Sequence, residues 1–229
     1  MMVGEDIGNP LIETPKDAYY NGKDVPTFNT YLTIIVRDKD GKVVRIHRQR
    51  SHSPTSNFIY LLLPTSYYNT IGQTVTITNI NGTSNSWATF KGPISYPNTA
   101  TNSPSYPIMI QVGSGQQANP PTATKLAAPI ANGSGAGQLV YGQPSVSTNI
   151  TVSGSSAYFY ISQTFNNLSG ATITVTEVGI VTQIWVNGVG CGYSVNLGPL
   201  LVWYDVLSSS ISVPNGGSVT IYYTFTVNP

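Results

Sequence analysis

Charge is what this sequence has least of: Lys, Arg, Asp and Glu make up 8% of its 229 residues, against roughly 25% in ordinary soluble domains. Uncharged Ser, Thr, Asn, Gln, Gly and Tyr supply the polarity instead. Such a surface lacks the like-charge repulsion that keeps copies apart, so it suits a subunit whose faces are covered by neighbours. Basic residues are missing altogether after Lys125, and only Glu177 and Asp205 carry side-chain carboxylates beyond it. The single cysteine, Cys191, excludes an intramolecular disulfide and any multi-cysteine zinc site, and suits a small buried apolar position. No apolar run approaches the ~20 residues of a membrane-spanning helix. The opening "MMVGEDIGNPLIETPKD" lacks the basic-then-apolar pattern of a secretion signal.

What is present is a succession of strand patterns. Residues 1–26 mix acidic and basic side chains without periodicity around Pro10 and Pro15, which predicts an extended arm lying on this subunit or on a neighbour. In "TYLTIIVRDKDGKVVRIHRQR" a β-branched run from Leu32 to Val36 meets a second run from Val43 across Asp40-Gly41. That spacing predicts a hairpin, because both turn residues tolerate positive φ. "SPTSNFIYLLLPTSYYN" then changes period. Ser53 is suited to cap, Pro54 to the first helical position, and Phe58, Leu61 and Leu62 to one apolar face, so one short helix is expected near residues 54–63.

Further short strands follow in "IGQTVTITNING", "SWATFKGPI", "PIMIQVGSG", "STNITVSGSSAYFYISQTF", "SGATITVTEVGIVTQIWV", "GPLLVWYDVL" and "GGSVTIYYTFTV". Gly, Asn, Ser and Pro separate them, and irregular stretches at 94–107 and 116–138 read as long loops. The expected fold is all-β: a jelly-roll-like antiparallel β-sandwich, one domain over residues 27–229.

Chemistry-bearing motifs are few. Arg37, Lys39, Lys42, Arg45, Arg48 and Arg50, offset by Asp38 and Asp40, form the one basic cluster. It suits a solvated sheet edge, a subunit contact or phosphate binding, since lysine and arginine both guard sheet edges and displace counterions from nucleic acid. "RDKDGK" starts like a calcium loop but has no closing glutamate. His47 and His52 sit among cations with no third ligand near in sequence, so no metal or other cofactor is expected. Glu177 and Asp205 would serve a glycosidase only as a close pair; donor satisfaction near strand ends is the simpler role. Cys191 with a histidine matches no catalytic signature. "VGSGQQ" lacks the lysine and helix of a phosphate cradle. Tyr158, Phe159, Tyr160, Trp185, Trp203, Tyr204, Tyr222 and Tyr223 suit sugar stacking or, by alternation, a core and its contact faces.

Four stretches taken in order carry a resemblance. "RDKDGKVVRIHRQRSHSPTSNFIYLLL", "IQVGSGQQANPPTATKLAAPI", "ATITVTEVGIV" and "LLVWYDVLSSSISVPNGGSVTIYYTFTV" resemble segments of virion structural proteins of phages and archaeal viruses. The few charges, many tyrosines and single cysteine are similar to virion proteins of hyperthermophilic archaeal viruses. The resemblance implies a non-enzymatic building block of the virion, made in the host cytoplasm. A tail nozzle or adaptor protein of spindle-shaped viruses is favoured, with a turret or vertex protein next. It further implies self-association in a homo-oligomeric ring, contact with other virion structural proteins, and viral DNA as a partner for the basic hairpin. A host-surface glycan-binding adhesin or tail-fibre module is the alternative, and a cellular pilus or surface-filament subunit the third reading. The long loop near 95–107 departs from the pattern.

Overall fold

The computed structural model describes residues 19–20, 23–24, 27–51, 54–62, 75–87, 108–118, 120–147, 149–187 and 194–228. Cys191, His52, Ser53 and the loop expected at 94–107 therefore lie outside the described residues, as does the arm before Tyr19. Within the arm, β1 (Tyr19–Tyr20) and β2 (Lys23–Asp24) pair as a minimal antiparallel hairpin.

The expected hairpin of the basic segment is formed by β3 (Thr27–Arg37) and β4 (Val43–Ser51). Gly41 takes φ 80° at its turn, a conformation costly for any residue with a Cβ. Asp38 fixes the same turn, its Oδ1 accepting the amides of Asp40 and Lys42 at 3.0 and 2.9 Å. Helix α1 (Ser56–Leu62) starts later than Ser53-Pro54 suggested. Its first turn is closed by the Ile59 amide on the Thr55 carbonyl, while Pro54 forms an isolated bridge with Trp203. Thr55 Oγ1 donates to the Leu201 carbonyl, and Asn57 Nδ2 to the same oxygen. Docking on a strand edge thus takes the polar groups that would otherwise cap the helix.

The remaining strands are β5 (Val75–Thr78), β6 (Ser84–Trp87), β7 (Ile108–Gly113), β8 (Val140–Tyr141), β9 (Ser145–Val146) and β10 (Thr151–Ser153). They are followed by the long strands β11 (Ser156–Asn166), β12 (Ile173–Asn187), β13 (Ser194–Val213) and β14 (Ser218–Asn228). A seven-stranded sheet runs in the order β10-β11-β14-β3-β4, with β8 and β9 also on β11; a three-stranded sheet runs β13-β12-β7. The two sheets pack face to face through Leu32, Ile34 and Val36 of β3 and Val219, Ile221 and Tyr223 of β14. These meet Ile110, Val178, Ile180, Leu200, Val202 and Ile211 of the small sheet. Each such aliphatic residue contributes about 1.5–3 kcal/mol by leaving water.

The sandwich is as expected, but its jelly-roll form is not established. Among the described residues five strands abreast, in the order β10-β11-β14-β3-β4, face three, in the order β13-β12-β7.

Alternation is broken where it matters. In the β12–β13 ladder, Ile180 pairs with Trp203 but Val181 with Leu201, leaving Val202 as the extra residue of a bulge. Val202 and Trp203 therefore both reach the main core, while Leu201 and Tyr204 face the far side, against Val181, Leu126 and Ala123. The expected loop at 116–138 is what supplies Ala123 and Leu126, so the small sheet is buried on both faces.

Side chains also sew the free edges of the small sheet. At β7, Gln163 Oε1 accepts the Ile110 amide at 2.7 Å. At β13, Gln49 donates to the Val206 carbonyl and accepts the Ser208 amide, at 3.1 and 2.9 Å. Edges engaged in this way are closed to pairing with another sheet.

Candidate functional site

Strand parity separates the six basic residues. Lys39 and Lys42 stand exposed at the hairpin tip, where Lys39 pairs with Asp40 at 2.9 Å. Arg45 shares the inward parity of His47, Gln49 and Ser51, and its guanidinium donates to the Ser210 carbonyl and to Ser209 Oγ, each at 2.8 Å. It is a tether between sheets. Arg48 and Arg50 face the opposite way, opposite Thr33 and Tyr31 of β3. Arg50 donates to Asn29 Oδ1 at 2.7 Å, and Arg37, farther along the same face, reaches Thr220 Oγ1 at 3.5 Å. Arg37, Arg48 and Arg50 are brought together on one face; Lys39, Lys42 and Arg45 are not.

That face is the outer surface of the large sheet. The registers set four rows across it: Arg50–Tyr31–Thr224–Tyr160, Arg48–Thr33–Tyr222–Ser162, Ile46–Ile35–Thr220–Thr164, and Asn29–Thr226–Tyr158. It presents half-buried tyrosines with a cationic border, while its threonines Thr33, Thr220, Thr224 and Thr226 are buried, and none of these positions holds a carboxylate. Tyr160 and Tyr222 meet edge to face at 6.0 Å, and Thr164 and Thr220 share a hydrogen bond of 2.9 Å. Tyr31 stands out. Its hydroxyl is closed off from solvent with no hydrogen-bond partner among the described residues, and burial raises its phenol, partly offset by the Arg50 charge. Sequence reading singled out Tyr158, Tyr160 and Tyr222 but missed Tyr31 and the threonines. The available signal was the period-two polar set in "NTYLTIIVR" and "SVTIYYTFTV".

The two late carboxylates are both buried, at the middle of paired strands. Glu177 lies on the far side of the small sheet, where Oε1 accepts the amides of Ala128 and Gly115 at 2.7 and 3.2 Å. Oε2 accepts the Ala127 amide at 2.9 Å and the Tyr204 hydroxyl at 2.7 Å. Three converging amides make an anion cradle, and the protein's own carboxylate fills it. A Cβ on Gly113 would stand 2.3 Å from Glu177 Oε1, so the bare glycine is a condition of this approach. Burial, then the Glu177 hydrogen bond and charge, raise the Tyr204 phenol.

Asp205 lies one residue along the ladder, paired with Val178, and points into the space between the sheets. Its Oδ2 accepts Ser51 Oγ at 2.6 Å and the Tyr223 hydroxyl at 2.9 Å, and Trp203 Nε1 donates to Ser51 Oγ. Burial, then the Asp205 charge and hydrogen bond, hold the Tyr223 phenol well above its ordinary range. Glu177 and Asp205 thus face opposite sides of one sheet and do not flank a common site.

His47 is engaged through Nε2 with Gln49 Oε1 at 3.0 Å and through Nδ1 with Ser209 Oγ at 3.4 Å. No group of three potential metal ligands occurs among the described residues, and no described helix is long and apolar enough to cross a membrane. Comparison with protein-family models, curated proteins and solved structures gives no match.

Proposed function

We propose that this chain is a structural building block of a virion that acts by shape rather than by catalysis and associates with copies of itself in a ring. A tail nozzle or adaptor is the favoured part, a turret or vertex the next. The observation that carries the reading is the loss of charge from the surface of the second half. Beyond Lys125 the only charged side chains, Glu177 and Asp205, are buried, so the described surface of β8 to β14 opposes no neighbour electrostatically. Exposed apolar side chains support it. Phe28 (55%) and Val227 (48%) pair across β3 and β14, and Val152 (70%) continues the row through Ala157 to the outer strand β10. Apolar rows of this kind mark contact surfaces.

Light scattering and negative-stain electron microscopy of the purified chain test the proposal. Closed rings are expected; a monomer throughout the micromolar range overturns it. The adhesin alternative draws on the Tyr31, Tyr160 and Tyr222 platform, since tyrosines stack on sugar rings. A monomer that binds glycans, and loses them on Tyr222→Ala, would replace the first reading with the second.

A further inference from the structure

The net charge of this chain arises in two adjoining segments of opposite sign. Residues 1–26 carry five carboxylates (Glu5, Asp6, Glu13, Asp17, Asp24) against Lys16 and Lys23. Residues 27–62 carry six cations against Asp38 and Asp40, and the remainder cancels. We propose that the acidic segment preceding the β1–β2 hairpin, residues 1–18, docks on the cationic border formed by Arg48 and Arg50 of its own copy.

Three observations support this. Arg48 and Arg50 are exposed on the β4 edge, and no carboxylate among the described residues pairs with either. Next to Arg50, the enclosed Tyr31 hydroxyl lacks an acceptor among the described residues; buried polar groups are rarely left so, and an acidic segment supplies carboxylate and carbonyl oxygens. The third is chain path. Tyr19 sits across from Asp24, three residues before β3 begins, so the acidic segment departs close to the start of β3. That end of β3 lies beside Ser51, through the Thr30–Ser51 pair, and Arg50 and Arg48 follow along β4 within about 20 Å. Eighteen residues span up to ~60 Å when extended, ample for the return. The proposal stands apart from the assembly reading.

Arginine-specific modification by phenylglyoxal, mapped by mass spectrometry on the full-length chain, tests this. Arg45, held by Ser209 and Ser210, is the internal reference. Arg48 and Arg50 should react several-fold faster in the E5Q/D6N/E13Q/D17N chain, and in the unaltered chain at molar salt, than in the unaltered chain at low salt; salt also covers the case of a poorly folding variant. Protection that persists on dilution to a concentration at which light scattering finds only monomer supports docking within one copy. Equal reactivity with and without the four carboxylates overturns the proposal. So does protection that fades on dilution, which assigns the strip to a neighbouring copy, or protection that appears only with added DNA.

Discussion

Glu177 and Asp205 occupy neighbouring strands, are equally buried, and do different work. Glu177 receives three backbone amides and one phenol, and it fastens the 114–130 segment onto the outer side of the small sheet. Asp205 receives side-chain hydroxyls from Ser51 and Tyr223, and it joins the two sheets across the core. The amides on Glu177 are held in place by the backbone, whereas the Ser51 and Tyr223 hydroxyls on Asp205 can turn. A buried carboxylate facing backbone is therefore the harder one to replace.

The largest effect expected follows from that. Glu177→Ala strands three amides and the Tyr204 hydroxyl, at about 3 kcal/mol or more. Calorimetry should register a fall of roughly 6–12 °C in Tm, and hydrogen exchange should quicken at Gly115, Ala127 and Ala128 while the Trp203 environment is kept. Asp205→Asn leaves an acceptor oxygen for Ser51 and Tyr223 and should cost less, about 1–2 kcal/mol. Its signature is a shift in Trp203 fluorescence without faster exchange at Ala127 and Ala128. If both variants lose the same stability and the same protections, the separation of roles is wrong.

Alkaline titration gives the smallest contrast. Tyr141, whose hydroxyl donates to the Ile130 carbonyl at 2.7 Å, is pushed up to about 12 by burial, against the lowering effect of its bond to Val112. Tyr204 and Tyr223 are raised as well. With folded values above the unfolded 10.0, the folded state holds the extra protons. The stability contributed is thus fully present below pH 10 and is lost as pH rises through about 12 for Tyr141. Tyr141→Phe should cost about 1 kcal/mol at neutral pH and flatten the decline in Tm between pH 10 and 12. A decline as steep as that of the unaltered chain would assign it to Tyr204 and Tyr223 alone.

Much of this could be read before the fold was known. The period-two runs in "TYLTIIVR" and "SVTIYYTFTV", the Asp40-Gly41 turn and the apolar set around Phe58 each act over a few residues, and the corresponding elements formed. The helix start moved from Ser53-Pro54 to Thr55-Ser56 because the edge of β13, distant in sequence, took up the backbone and side-chain groups of that turn. "GPLLVWYDVL" predicted a strand ending near Leu207. β13 runs on through three serines to Val213, because Ile173 to Val175 of β12 pair with its end.

What the sequence determined by itself was the all-β class, the hairpin and its charge, and the neutrality of the second half, since these depend on composition and on contacts between near neighbours. Only the tertiary structure decided which side each polar group took. One extra residue at Val202 sends Tyr204 to Glu177 and Trp203 to Ser51, and strand parity divides Arg45 from Arg48 and Arg50. Those assignments depend on register between strands far apart in the chain, and a shift of one residue would exchange every face.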